Sequence, residues 1–359
     1  MKTQIIGFFT PWIAYAIMTA LHCIIPAKKI KGYVRNDKTG EVLSYRLNGI
    51  FVLAASVILW LILGITNLVP LDWLYRVRWE SLAGAVAMGL LFSLLIVIPY
   101  PSTGKNFLAD FFLGRLKNPQ FRDGFIDAKM WLYMIGATML QLNVLSFAAH
   151  HWQLYQIINP GFLLSTFLMT WFIWDYNTFE RVHLYTYDFI AERTGFKLGF
   201  GCLAFYPYFY SVAHWSTVNL PNPGHPLWLT ICFVLVFFTG WTLARGANMQ
   251  KFYFKISPEK SFLGIKPEVL SNGQYTLLVN GFWGRSRHIN YLGEILMASG
   301  IVLSTGYPAV WTSWLYPLYY VFLLFTRQAD DDKICRAKYG ELWDAYKKKV
   351  KYRIIPYIY

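Results

Sequence analysis

Pro226-Leu227-Trp228-Leu229-Thr230-Ile231-Cys232-Phe233-Val234-Leu235-Val236-Phe237-Phe238-Thr239-Gly240-Trp241-Thr242-Leu243-Ala244 is an uninterrupted apolar run, long enough to cross a ~30 Å hydrocarbon layer as a helix. Runs of the same kind recur near residues 5–25, 49–69, 82–100, 130–149, 160–179 and 197–218. A longer stretch, 295–326, provides two short spans or a re-entrant hairpin, with Gly306 and Pro308 at its turn. The fold expected is all-α, a polytopic membrane bundle of roughly 9–10 transmembrane helices whose cytoplasmic-side loops form a ligand site.

Composition leads to the same class. Hydrophobic side chains make up 56% of the 359 residues and charged ones only 14%, against about 25% charged in soluble chains. The net charge of +14 would suit nucleic acid only as a basic patch on a soluble domain, and its placement excludes that reading. Of the 33 basic residues, 30 fall in loops 26–48, 101–129, 180–197, 245–293 and the segment 327–359. Loops 150–159 and 219–226 hold no Lys or Arg, and in loop 70–81 Arg76 and Arg78 are balanced by Asp72 and Glu80. Because Lys and Arg are retained on the cytoplasmic side, the N-terminus is expected outside and the C-terminal segment in the cytoplasm. Lys347-Lys348-Lys349 with Lys351 and Arg353 belongs to this bias and also suits contact with anionic lipid. The first run ends at Pro26-Ala27-Lys28-Lys29 without a small-residue cleavage site, which predicts a retained helix. Cys23, Cys202, Cys232 and Cys335 lie far apart, in no disulfide or zinc pattern, and read as small hydrophobes.

After about residue 240, charged, aromatic and small residues mix densely, so the chain divides into a bundle over 1–244 and a ligand-binding, membrane-embedded half over 245–359. In Asn280-Gly281-Phe282-Trp283-Gly284-Arg285-Ser286-Arg287-His288-Ile289-Asn290-Tyr291, two glycines allow close backbone approach, two arginines offer forks for phosphate and Trp283 offers a stacking face. A structural loop at the membrane surface would read the same way. Lys251 and Lys255, four apart, project from one helical face and suit a phosphate or simple membrane anchoring. Asp330-Asp331-Asp332 is costly at the end of an apolar helix and favourable if it opens the next one. Tyr339, Trp343 and Tyr346 share one face at helical spacing. Within the 197–218 run, Pro207 breaks a helix among Tyr206, Tyr208 and Tyr210, phenols able to give up a proton to a strong developing base. His150, His151, His183 and His214 show no metal-ligand spacing and read as packed or interfacial.

Together these blocks resemble the membrane sterol reductases, the family of the C14, C7 and C24(28) sterol reductases and the lamin B receptor. The resemblance covers most of the chain. It includes Gly32-Tyr33, Tyr45-Arg46-Leu47-Asn48-Gly49, the run Gly104 to Gly114, Asn118-Pro119, Asp127-Ala128-Lys129, the Gly281 to Tyr291 run, Cys335 to Tyr346, and Tyr352 to Tyr359. It implies NADPH-dependent reduction of a sterol carbon–carbon double bond, with the lipid entering from the bilayer on the 1–244 side. It implies residence in the endoplasmic reticulum of a eukaryote or the inner membrane of a bacterium. By matching positions, it implies that Lys251, Lys255, Trp283, Arg287, Asn290, Arg327, Tyr339 and Tyr346 bind NADPH and that Tyr210 and Asp331 form the catalytic pair.

Departures from the family pattern are Asp330 for Arg, Lys255 for Arg, Glu294 for Asp and Arg181 for Glu. Ala191-Glu192 stands where ring-reducing members show His-Asp. With Trp152, Tyr155, Pro160 and Pro207-Tyr208, it leads to the expectation of a C24 or C24(28) side-chain bond, a C14 or C7 ring bond being the alternative. Arg287-His288 with Asp331-Asp332 is also similar to S-adenosylmethionine-dependent isoprenylcysteine and phospholipid methyltransferases, which normally carry Arg-His-Pro and a Glu pair. A receptor-like sterol scaffold is the non-enzymatic reading.

Overall fold

The computed structural model describes residues 2–36, 39–157 and 159–359, which form two compact units, 1–222 and 223–359. The boundary differs from the expected one at 244/245 because those residues lie inside the continuous helix Leu227–Ile256. The apolar run at 226–244 does not stop at the membrane edge. Its helix continues through Lys251 and Lys255, about 45 Å in all at 1.5 Å per residue, so the span and these lysines are one rigid rod.

The protein is a helical membrane bundle. Among the described residues, four helices are long and apolar enough to cross a membrane: Lys2–Ile24, Arg78–Val97, Ala128–Tyr155 and Leu227–Ile256. Gly49–Ile65 and Ile289–Ser304 are apolar but shorter. In the N-terminal unit, Ala128–Tyr155 is the axis: 78% of its apolar window is buried, against 28% for Lys2–Ile24. The outer helices keep Ile5, Phe9, Ile13, Phe51, Ile58, Ile62, Leu91 and Leu95 exposed, as lipid-facing surfaces require. Asp127 caps the axial helix by accepting from the N–H groups of Lys129 and Met130. Lys129 is fully buried, and its Nζ donates to the carbonyls of Asp188 and Glu192 at 2.7 and 2.6 Å, tying the 188–192 turn to that axis.

Where the sequence suggests one span over 197–218, the structure holds four short pieces. These are Phe196–Phe200, a π-turn Gly201–Phe205, Tyr206–Phe209 and Val212–Thr217. Pro207 lacks an N–H and cannot continue an α-helical ladder, and the π-turn absorbs the misfit by pairing the Tyr206 N–H with the Gly201 carbonyl. Asn143 Nδ2, from the axial helix, donates to the Pro207 carbonyl at 2.9 Å.

In the C-terminal unit, Leu227–Ile256 packs along Ile289–Ser304 with backbones nearly touching. A Cβ on Gly240 would sit 2.6 Å from the Gly293 carbonyl, and one on Gly300 would sit 2.9 Å from the Phe237 backbone. The chain then turns at Gly306, whose φ of +83° suits glycine, passes a 3-10 turn Trp311–Trp314 and enters the helix Leu315–Tyr339. Asp330-Asp331-Asp332 therefore neither ends a helix nor opens one; the apolar helix runs two further turns past the triplet. Gly340 (φ +54°) breaks the chain before Glu341–Lys349, so Tyr339 and Tyr346 belong to different helices. Small hairpins decorate the bundle, Lys28–Arg35 with Val42–Leu47 and Val269–Ser271 with Thr276–Leu278.

Candidate active site

The polar centre of the C-terminal unit is assembled from four stretches of chain. Leu227–Ile256 supplies Ala247, Asn248, Gln250 and Lys251 from its last turns. Gln250 is buried and acts as a bracket, accepting from the Phe282 N–H at 3.0 Å and donating to the Asn280 carbonyl at 3.4 Å. This holds the 3-10 turn Gly281–Gly284, and Gly281 (φ +63°) is required because a Cβ there would collide with the Gln250 amide. Trp283 Nε1 donates to the Ala247 carbonyl at 2.8 Å, and Lys251 Nζ stands 5.2 Å from the Trp283 ring centre. The two residues are set against each other by the helix and the turn together.

The next residues are pinned by the final segment. Ser286 Oγ donates to the Ile354 carbonyl, the Arg287 N–H to that of Tyr352 and the His288 N–H to that of Arg353. Arg287 is buried, and one of its terminal nitrogens donates to the carbonyls of Val350 and Lys351 at 2.9 and 3.0 Å. Much of its fork is therefore committed to the chain itself, and burial lowers its pKa. Asn290 Nδ2 contacts Asn248 Oδ1 at 3.4 Å, while the buried Asn290 Oδ1 has no hydrogen-bond partner.

From Leu315–Tyr339 comes Asp331, in the polar part beyond apolar residues 315–326. Burial raises its pKa and the neighbouring Asp332 raises it further, while Lys251 and Arg327 oppose both. His288 Nε2 lies 3.8 Å from Asp331 Oδ2. Burial first, then Lys251 and Arg287, hold that imidazole down to about 3, so it is neutral at any ordinary pH. Asp332 is used differently, accepting from Trp343 Nε1 at 3.0 Å. Although Gly340 divides the helices, Tyr339, Trp343 and Tyr346 still form a ladder, with successive ring centres 6.3 and 5.0 Å apart. Tyr346 is buried, its hydroxyl donating to the Trp283 carbonyl at 3.4 Å, whereas Tyr339 meets the ring of Tyr275 and the ammonium of Lys338.

Of the residues singled out in the sequence, the structure gathers Lys251, Trp283, Arg287, Asn290, Asp331 and Tyr346 into one cluster, with the charge of Arg327 acting on Asp331. Tyr339 stands at the far end of the ladder, and Lys255 is exposed one turn beyond Lys251. Tyr210 belongs to the N-terminal unit, buried edge-on to Tyr206 at 4.6 Å. The sequence reading gives His288 no role of its own in the site and gives Gln250 none at all. His288 was legible only as the neighbour of Arg287, and nothing in the local sequence marks Gln250 as a bracket.

The arrangement is an acid held partly desolvated among cations and aromatic rings in a helical membrane protein. The chain belongs to the ergosterol biosynthesis ERG4/ERG24 family, whose model matches residues 2–359. It is 32% identical to the Delta(14)-sterol reductase of Arabidopsis thaliana over 94% of this chain and 91% of that protein. It is 31% identical to Delta(14)-sterol reductase ERG24 of Saccharomyces cerevisiae, over 96% of this chain and 82% of that one. With Delta(14)-sterol reductase TM7SF2 of Mus musculus it shares 32% identity over 98% of this chain and 86% of the relative. The protein is thus a sterol reductase, an oxidoreductase acting on a carbon–carbon double bond, and the methyltransferase and scaffold readings give way.

The preference for a side-chain bond does not find support among these relatives, and the structure gives its marker residues other tasks. Glu192 pairs with Lys197 at 2.5 Å while its carbonyl receives Lys129. Tyr155 donates to the Asn219 carbonyl at 2.7 Å, Pro160 is the first residue of the helix Pro160–Thr178, and Trp152 is exposed. The contacts of Glu192, Tyr155 and Pro160 are structural ones, and none of them points to a particular bond.

Proposed function

We propose that this chain reduces the C14 double bond of a sterol with NADPH as reductant, the nucleotide bound on the cytoplasmic side by the C-terminal unit. The single observation that carries the reductase chemistry is Asp331, a carboxyl whose burial favours its protonated form although Lys251 and Arg327 stand near it. The C14 position is taken from the printed names of relatives 31–32% identical over nearly the whole chain.

The residues fit the cofactor. Lys251 and Arg327 supply charge for phosphates, the Tyr339–Trp343–Tyr346 ladder supplies stacking faces, and the orphaned Asn290 Oδ1 supplies an acceptor for an amide. When bound, the reduced dinucleotide supplies hydride. Asp331 protonates the less substituted alkene carbon; the cation left at the more substituted carbon is the hydride acceptor. Lys251 and Arg327 hold the anionic ligand against the Trp283 turn, and the apolar helices exclude water from the cationic stage.

The test is sterol profiling by mass spectrometry after membranes are incubated with C14-, C7- or C24(28)-unsaturated sterols and either NADPH or NADH. Saturation of the C14 bond, faster with NADPH, is expected, with KM for NADPH raised about tenfold or more in Lys251→Ala and Arg327→Ala. Reduction of C24(28) substrates alone would refute the C14 assignment, and an unchanged KM in both variants would place the nucleotide elsewhere.

A further inference from the structure

His288 is held in place from two sides. Its ring, 4% exposed, stacks on Tyr291 with centres 4.9 Å apart, and its backbone N–H donates to the Arg353 carbonyl at 2.8 Å. Its Nε2 has no hydrogen-bond partner among the described residues, and the carboxylate oxygen Asp331 Oδ2 stands 3.8 Å away. Buried ring nitrogens are nearly always paired, so a fixed imidazole with an open nitrogen beside a carboxyl is a contact poised to tighten. Catalytic hydrogen bonds are often long before charge develops on the acceptor.

We propose that His288 is a positioning residue for the reduction, its Nε2–H donating to Asp331 Oδ2 so that the acid proton resides on Oδ1. The inference rests on the reading of Asp331 as the acid. As that proton leaves, the Oδ1–H bond breaks, a C–H bond forms on the alkene and the electron pair stays on the carboxylate. His288 keeps its own proton throughout. The bond to Nε2–H closes as Oδ2 gains charge and stabilises the carboxylate, making Asp331 a stronger acid than burial alone would leave it.

The charged and titratable groups facing this pair are Lys251 from Leu227–Ile256, Arg287 on its own stretch, Arg327, Asp332 and Cys335 from Leu315–Tyr339, the Cys335 thiol hydrogen-bonding Asp331, and Tyr346 from Glu341–Lys349. Both Lys251 and Arg287 disfavour an imidazolium, which keeps the ring a neutral donor. Lys251 and Arg327 remain in every variant below, so a change in the carboxyl's titration reports the loss of the imidazole.

The experiment follows the Asp331 carboxyl directly, by infrared difference spectroscopy of its protonated C=O band against pH in the full-length protein without cofactor or sterol, the band being identified by its loss in Asp331→Asn. His288→Leu is expected to move the titration upward by about one pH unit and to lower kcat about 10- to 100-fold. His288→Gln, which keeps an N–H, is expected to restore most of both. A titration and kcat unmoved by His288→Leu, with Asp331→Asn inactive, overturns this inference alone, as does a Gln variant as impaired as the Leu variant. Full turnover in Asp331→Asn overturns the acid assignment and this role with it. Should His288→Leu fail to fold, nitrogen NMR of the histidines in the unaltered protein decides. The His288 Nε2 resonance must respond as Asp331 ionises, and a resonance indifferent to it overturns the proposal.

Discussion

Glu180 shows how a single side chain responds to the fold. It is buried, and its Oε2 accepts from the Gly49 N–H at 3.0 Å; burial pushes its pKa up to about 8. The folded chain therefore holds a proton that the unfolded chain releases near its ordinary value of 4.5. This costs stability progressively as pH rises from there through 8, and nothing below. Glu180→Gln keeps an acceptor for Gly49 and removes the ionisation. It is expected to be more stable than the parent by about 3–5 kcal/mol near pH 9 and equal to it near pH 4, in thermal unfolding of the detergent-solubilised protein. A gain of the same size at both pH values would assign the effect to packing instead. Nothing adjacent in sequence reveals this, because Gly49 lies on a different helix. Lys251 and Asp331, by contrast, were singled out as unusual charges near a membrane edge before any contact was known.

At the scale of elements, the pair Leu227–Ile256 and Ile289–Ser304 governs the site, since one carries Lys251 and the other begins beside His288 and Asn290. Their close approach depends on Gly240, Gly293 and Gly300, which leave no room for a Cβ. Gly293→Val should force the helices apart, lower stability by about 1–3 kcal/mol and raise KM for NADPH, because Lys251 moves relative to Asn290. Parallel thermal unfolding and cofactor titration check this, and a destabilised protein with unchanged KM would separate the packing from the site. The apolar length of the first helix was legible in the sequence. Its continuation to Ile256 was not, because a run of apolar residues marks the membrane and not the end of the hydrogen-bond ladder. In the 197–218 run the break at Pro207 was legible from the proline itself, whereas uniform hydropathy hid the π-turn before it and the division into short pieces.

At the scale of the whole molecule, the distribution of 30 of 33 basic residues among alternate loops predicts a cytoplasmic C-terminal end. A protease-sensitive tag fused after Tyr359 is expected to be cleaved in permeabilised cells and in vesicles exposing the cytoplasmic face, and protected in intact cells. Cleavage from outside intact cells would reverse the topology and rule out the proposed cytoplasmic nucleotide site. What the sequence determined by itself is whatever depends on neighbours along the chain: membrane class from apolar run length and family from its motifs, with loop charge giving the expected orientation. Tertiary structure alone decided the bracket of Gln250 on the Trp283 turn, the commitment of Arg287 to the Val350 and Lys351 carbonyls, and the meeting of His288 with Asp331. Those contacts join residues from separate helices and from the final segment. Burial, which sets both their hydrogen bonds and their proton affinities, exists only once the helices have packed.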